Sequence, residues 1–468
     1  MKLAWSRQKR GHRDGLDPQA LINPRPDTTR MNGDVTVVGG GLAGLVAAAR
    51  LAEAGADVTL YERRPEVGGR VRTETVDGFT LDRGFQVLFT SYPAVAAELD
   101  ADALDIRRFA PGATICRPGS RATLSDPLRD PLGAIPSLLN DEVSFSDKLR
   151  TLALRYDLSN RDADDFFGGP DDSSIREYLR DWGFADEYVE NFVEPFYGGI
   201  TLDRSLSTSK EVFEYTFRAM GRGAIGVPAE GMSAIPESLA DRAREAGVTI
   251  ETGADVETVR TAGQGRIPFR TGAADAEGAT VELADGSTRE TDAVVVAATP
   301  PEARRLTGVE SIPTEAVPNV TGWYALPAGA SFETGKRILL NAAEESPNAV
   351  IPMSEVAPEY APDDRALLAA TFLGEESLDR PADALRDDVR DALAAWYPER
   401  DFAGLETVDV NRVRFAQFAQ PPGVHASLPD PDDPEGPVVL AGDYTEWSSI
   451  QGALESGRTA AEAAGGYL

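Results

Sequence analysis

The chain has 468 residues, 42% hydrophobic and 26% charged, a globular composition too long for one ordinary core and sized for two domains or one large composite one. Its 77 acidic against 46 basic residues leave a formal net charge of −31, which argues against a nucleic-acid partner, because binding a phosphate backbone needs a positive footprint. No apolar run approaches the roughly 18 residues that suggest a membrane-spanning helix, and the single cysteine, Cys116, rules out an intramolecular disulfide and suits a reducing cytosol.

Only five of the basic residues are Lys; the other 41 are Arg. An acidic surface of this strength fits a salt-rich cytoplasm, where counterions screen the self-repulsion. The reading is a halophile's cytoplasmic protein, with an acidic mesophilic protein as the alternative. Residues 1–30 differ from the rest, with seven Lys or Arg against three Asp and no apolar stretch of a secretory signal. They read as a disordered tail or as the product of a start codon placed too early, with Met31 just before the first strand. Beyond them His425 is the only histidine, so serine–histidine catalysis and multi-His metal sites are poor candidates, and no metal is expected. Cys116 reads as a small buried hydrophobe.

The first element is the β-branched run Val35–Val38, a buried strand. Gly39, Gly41 and Gly44 follow it with the G-x-G-x-x-G spacing of a phosphate-binding turn. Gly39 allows the tight turn, Gly41 lets backbone approach a pyrophosphate, and Gly44 lets helix and strand pack closely. A helix is expected from Leu42 to Ala54, with Gly55 ending it. The N–H groups of its first residues, Leu42 and Ala43 among them, would meet the phosphates. A second strand, Asp57–Tyr61, ends at Glu62, at the position of a ribose-binding acid. Arg63 and Arg64 read as surface or phosphate-edge residues, since Glu62 would repel a 2′-phosphate.

The next run, Arg63-Arg64-Pro65-Glu66-Val67-Gly68-Gly69-Arg70-Val71-Arg72-Thr73, moves the reading from NAD to FAD. It resembles the double-glycine-arginine motif of the superfamily that holds flavin amine oxidases, phytoene desaturases and protoporphyrinogen oxidases. Adjacent glycines bring backbone N–H groups close to phosphate or flavin oxygens, and Arg70 and Arg72 add charge-assisted donors. Gly78 to Gln86 resembles the hairpin that follows in that family. Further on, Val248–Val259 reads as strand-turn-strand, with Val256 where the family packs against adenine. Asp292–Pro301 resembles its last common strand. At the other end come a strand, Pro437–Leu440, then Gly442-Asp443, then a helix from Ile450 to Ala463. The resemblance implies that Gly442 and Asp443 serve the ribitol-phosphate side of FAD, and that the helix start, Ile450, Gly452 and Ala453, faces the flavin. With no Cys or His between residues 426 and 468, the FAD is expected to be bound and not covalently attached.

The implied fold is α/β: a Rossmann-like FAD-binding domain with an inserted α+β substrate domain. The expected division is 31–99, 225–310 and 425–468 for the FAD-binding parts, and 100–224 and 311–424 for the substrate parts. Residues 141–220 read as mostly helical, with a helix opening near Ser173-Ser174. The aromatic stripe Phe213, Tyr215, Phe217 and Met220 reads as core or as the wall of an apolar pocket. Pro131–Leu139 resembles a segment near the membrane-facing entrance of plant-type phytoene desaturases, which implies either a peripheral membrane contact or a protein-covered loop.

Flavin carries the electron transfer, so no strong acid–base constellation is required, and none is assigned. Monoamine oxidases carry a lysine near the flavin; the equivalent strand here, Asn319–Leu326, has none, and Lys336 beyond it reads as a surface residue. Tyr444 and Trp447 are expected near the flavin or in packing. The leading expectation is a desaturase or dehydrogenase acting on a small apolar, isoprenoid or lipid-like substrate. The alternatives are an amine or porphyrinogen oxidase, and a non-catalytic lipid carrier on the same scaffold. The sequence assigns no oligomeric state.

Overall fold

In the computed structural model, which describes residues 32–125, 144–162, 165–261, 278–327, 329 and 333–468, Asp34–Val38 is the middle strand of a five-stranded parallel sheet. The order across it is Thr249–Thr252, Asp57–Glu62, Asp34–Val38, Ala293–Val296, Val438–Leu440. A parallel sheet is covered on both faces, so its strands are apolar throughout. Because side chains alternate along a strand, Val35, Val37, Val295 and Val439 join the core beneath the helices. Their neighbours Val38, Val294, Val296 and Leu440 pack against a three-stranded antiparallel layer, Val256–Thr261, Ala279–Leu283 and Thr288–Thr291.

Helix Leu42–Glu53 follows the glycine turn and ends where Gly55 takes φ +107°, one step past the cap at Ala54. It packs against the last helix, Ile450–Gly465, and against Ala234–Glu245. Glu98, buried, ties three of these elements by ion pairs to Arg50, Arg242 and Arg458.

The second layer system is a seven-stranded sheet, in the order Glu406–Phe418, Ala316–Pro327, Arg365–Phe372, Ala349–Ile351, Ile338–Asn341, Ala113–Arg117, Ser120–Leu124. It is antiparallel except where Ile338–Asn341 runs parallel to Ala113–Arg117. Helix Ala382–Trp396 covers one face through Leu385, Val389, Leu393 and Trp396. The other face, carrying Trp323, Leu340, Ile351 and Leu367, joins the same core as the helices of the first unit. The chain crosses between the two sheets four times. Helices Phe145–Ser159, Ile175–Asp181 and Lys210–Arg222 complete the second unit. Ser174 opens the middle one with a reciprocal pair of hydrogen bonds to Glu177, the arrangement expected of a Ser-led helix start.

Residues 1–31 and Pro131–Leu139 lie outside the described residues. Among the described residues no helix is long and apolar enough to cross a membrane. The aromatic stripe is packing: Phe213 lies against Tyr178, Tyr197 and Phe217, and Tyr215 against Phe166 and Trp447. Cys116 is fully buried, and burial pushes its thiol up to about 12.

The hairpin Thr73–Val76/Phe79–Asp82 is locked by Asp82, 1% exposed. Its carboxyl accepts from Thr73 Oγ1 (2.6 Å), Met232 N (2.8 Å) and the Tyr360 hydroxyl (3.0 Å). Burial outweighs these three donors and pushes Asp82 up to about 6. A carboxyl whose folded pKa lies above its unfolded value contributes most below the unfolded pKa, and the contribution is lost as pH rises through the folded one. Asp82→Asn is therefore expected to gain on the wild type by up to about 3 kcal/mol between pH 4 and 7, measured as the difference in denaturant unfolding free energies across that range.

Candidate functional site

The glycine turn is shaped by contacts that exclude side chains. Gly39 has φ +112°, and a Cβ there would lie 2.5 Å from Ala297 O. A Cβ on Gly44 would lie 2.0 Å from Gly39 O. Gly41 differs, with nothing within 4 Å of its Cβ position. It caps helix Leu42–Glu53 without any side-chain hydrogen bond, and no acidic residue occupies the first turn. The helix thus presents unpaired N–H groups and its positive dipole end to open space, a cradle suited to a phosphate.

Glu62 sits beside this turn, 5% exposed. Its Oε2 accepts from Gly40 N (2.8 Å) and its Oε1 from Arg64 N (2.9 Å), so each oxygen keeps a lone pair for a further donor. The double glycine folds back on the turn: Gly68 N donates to Gly40 O (2.7 Å), and a Cβ on Gly69 would lie 3.2 Å from Gly41 Cα. Arg70 then crosses to the far end of the chain. Its guanidinium pairs with buried Asp443 (2.6 Å) and donates to Ala416 O (3.1 Å). Asp443 in turn accepts from Ser448 Oγ (2.8 Å). Ser449 caps the last helix by accepting from Gly452 N (2.8 Å).

These groups line one cavity of about 590 Å³, within the range of small-molecule and cofactor sites. Of the residues singled out from the sequence, Gly39, Gly41, Leu42, Ala43, Glu62, Arg63, Gly68, Gly69, Arg70, Val256, Gly442, Asp443, Ile450 and Ala453 all line it. Gly44 and Gly452 are not among the lining residues. Each lacks a side chain because backbone presses on it, Gly39 O at 2.0 Å and Trp447 O at 2.1 Å from the respective Cβ positions. Trp447 lines the cavity, whereas Tyr444 is fully buried, with its hydroxyl donating to Val296 O or Ala441 O. Lys336 is exposed and away from the cavity.

More of the wall comes from the seven-stranded sheet, from the helical segments and from a small three-stranded sheet, Leu88–Phe89, Ile225–Pro228 and Ile106–Arg108: Phe89, Tyr92, Phe196, Ile200, Val212, Ile225, Leu340 and Ile351, with Thr216, Asn348 and Thr371 as polar members. Besides Arg414, the one charged side chain that the seven-stranded sheet contributes, the ionisable group of this wall is Tyr92. Burial pushes its phenol well above its ordinary value, so it keeps its proton. On helix Lys210–Arg222 the lining residues are Val212 and Thr216, not the aromatic stripe. Gln86, Gln420 and Ser448 also line the cavity without having been marked by the sequence. Gln86 follows a recognisable hairpin; nothing local distinguishes Gln420.

The sequence profile of the flavin containing amine oxidoreductases matches residues 42–464. The chain belongs to that family. The open glycine turn, the lone pairs of Glu62 and the Arg70–Asp443 closure fit FAD as the flavin of that family. The chain is 27% identical over 304 residues to a carotenoid 3,4-desaturase of Haloarcula japonica, covering 58% of this chain and 57% of that protein. It is 51% identical over 92 residues to a carotenoid phi-ring synthase of Streptomyces griseus, 18% of each chain. It thus spans less than two thirds of the length of either relative. In fold it is similar to an oxidoreductase from Methanosarcina mazei (TM-score 0.68, 18% identity, 92% of this chain and 100% of that one). It is also similar to a putrescine oxidase solved with putrescine bound (TM-score 0.66, 19% identity, 92% and 98%).

The contrast between the two glycines gives a paired test. Gly41→Ala, at an ordinary φ of −78°, is expected to fold with a melting temperature within about 2 °C of wild type, yet to bind FAD at least about tenfold more weakly. Gly44→Ala is expected to cost about 3 kcal/mol or more, through overpacking against backbone. Thermal denaturation and FAD titration of both variants distinguish the two roles.

Proposed function

We propose that the protein desaturates an apolar, isoprenoid-like chain, with noncovalently bound FAD as hydride acceptor. The observation that carries this reading is the wall at the second end of the cavity. The lining residues that come from the seven-stranded sheet and the helical segments of the second unit include no carboxylate, imidazole or lysine that would recognise an amine; their one charged group is the cation Arg414, and Tyr92 on the same wall is held neutral. The carotenoid 3,4-desaturase relative supports the same class of substrate.

In this reading the helix start at Leu42 and Ala43 holds the pyrophosphate, Glu62 the ribose, and Asp443 with Arg70 the ribitol-phosphate side. Val256 packs against adenine, and Ile450 with Ala453 against the flavin. Desaturation removes a hydride and a proton from adjacent carbons; bound FAD would supply the acceptor for the hydride, and the proton would pass to the reduced flavin or to solvent. The chain's own part is to hold the substrate's C–H bond toward that position, to exclude water with Phe89, Phe196, Ile200 and Ile351, and to leave the charged half of the cavity to the cofactor. Noncovalent attachment is supported by the place of the one cysteine, Cys116, which is buried in the core and is not among the lining residues.

The same proposal places the protein in the cytoplasm, drawing substrate from a membrane surface. Helix Phe145–Ser159 supports this, exposing Leu149, Leu152 and Tyr156 (52, 43 and 75%) along one face at helical spacing.

The test uses protein purified in high salt and loaded with FAD. Anaerobic addition of an isoprenoid polyene is expected to bleach the flavin band, and putrescine to leave it unchanged. Bleaching by the diamine, with hydrogen peroxide formed on admitting air, would instead establish an amine oxidase. Because Tyr92 keeps its proton, Tyr92→Phe is expected to retain the rate of flavin reduction within about threefold; loss of about a hundredfold would assign it acid–base work.

A further inference from the structure

His425, the only histidine among the described residues, is 1% exposed in its side chain and does not line the cavity. It nevertheless touches one residue that does, Gln420, and through Phe167 it meets a second, Trp447. Its Nδ1 lies 3.0 Å from Glu211 Oε2, on helix Lys210–Arg222. Its Nε2 lies 3.3 Å from Gln420 Oε1. Phe167 stands edge-on to the ring at 4.9 Å and stacks on Trp447 at 5.3 Å.

The hydrogen-bond partners determine which atoms donate. Gln420 Oε1 also accepts from Ser448 N (2.9 Å), and a backbone N–H only donates. The Gln420 atom facing both Ser448 and His425 is therefore the oxygen, and a flipped amide would set donor against donor. On the other side, Glu211 accepts from Gly168 N (3.1 Å) and Gly169 N (2.9 Å) as well. Burial opposes its ionisation, but the hydrogen bonds from His425, Gly168 and Gly169 hold it below the usual carboxylate range. Both ring nitrogens of His425 thus face acceptors, and only a ring with a proton on each makes both hydrogen bonds.

A metal ion is the competing use of this corner, since Asp172, Glu211 and His425 place their ligand atoms within 4.8 Å of one another. The chain's own donors already take those oxygens. Asp172 accepts from Ser173 N and Ser209 Oγ (2.8 Å each) and from Gly423 N (2.7 Å). Among the described residues, Glu211 and Asp172 are the charged groups facing the ring. Phe167 and Gln420 close its other sides without charge.

We propose that His425, donating from both ring nitrogens, is a positioning residue that ties the substrate-side helix Lys210–Arg222 to the flavin-side segment Trp447–Ser449. The connection runs from Glu211 through His425 and Gln420 to Ser448, then through Ser448 Oγ to Asp443 and from Asp443 to Arg70. It holds Trp447 and Ser448 where they line the cavity, next to the start of the last helix. Its effect on FAD rests on the flavin reading of the cavity; the protonation of the ring does not.

The test uses the full chain with ¹⁵N-labelled histidine, the two histidine signals being assigned with His12→Gln. At pH 7 both ring nitrogens of His425 are expected to carry protons, and in Glu211→Gln only one. His425→Gln and Glu211→Gln are each expected to weaken FAD binding roughly tenfold, the effect of losing a charge-assisted hydrogen bond, and to change the visible spectrum of the bound flavin. A singly protonated ring in the wild type overturns the proposal. So does a doubly protonated ring whose loss leaves FAD affinity within twofold and the flavin spectrum unchanged. Wild-type protein with no affinity for FAD would overturn the flavin reading, and with it the positioning role, while the ring's protonation is still read.

Discussion

Helix Leu42–Glu53 reaches its place over the parallel sheet through three contacts made by backbone alone. A Cβ on Gly44 would press on Gly39 O, one on Gly39 on Ala297 O, and one on Gly457 on Ala43 O. Each contact brings two segments nearer than side chains permit, so the helix sinks between the sheet and the last helix, and its first turn is left at the carboxyl ends of the strands. Ligands of open α/β sheets bind at that edge. The cavity, the direction of the helix dipole and the approach of Gly69 to Gly41 all depend on this compression.

The charged half of the cavity is closed by pairing parts far apart in sequence. Arg70 and Asp443 meet because the parallel sheet sets its first and last strands on either side of Ala293–Val296. Asp443 is 3% exposed, and a carboxylate so placed is tolerable only with partners. Removing one member of such a pair typically costs about 3–5 kcal/mol, because it strands the other's charge. Arg70 and Ser448 supply those partners, so the joint between the two ends of the chain is also part of the cavity wall.

The two halves of the cavity divide the chemistry. Phosphate and ribose recognition needs backbone N–H groups, a carboxylate and an arginine, and the first unit provides them. The second unit provides chiefly aliphatic and aromatic surface. A flavin enzyme can afford this division, since the electron transfer belongs to the cofactor and the protein need only orient a C–H bond and keep water away. The absence of a lysine among the described lining residues fits the strand Ala316–Pro327, whose residues have no such group to offer.

The parts around the glycine turn that line the cavity were legible in the sequence because their physics is local. A β-branched strand, a glycine spacing that admits phosphate, an acid at the end of the next strand and a double glycine with arginine each act within a few residues of one another. The ordering of the terminal strand, Gly442-Asp443 and the final helix was legible for the same reason. The resemblance to a flavin family supplied the rest of the site, including Val256 and Arg70. The second unit was not legible at this level. On helix Lys210–Arg222 the sequence offered a conspicuous aromatic stripe, yet Val212 and Thr216 face the cavity, because which face of a helix is core depends on the elements packed around it. His425, Glu211 and Gln420 carried no local signature either. Their meeting is decided by how a helix, a loop and a turn from different parts of the chain are brought together, and hydrogen bonds between such segments exist only once the tertiary structure has formed.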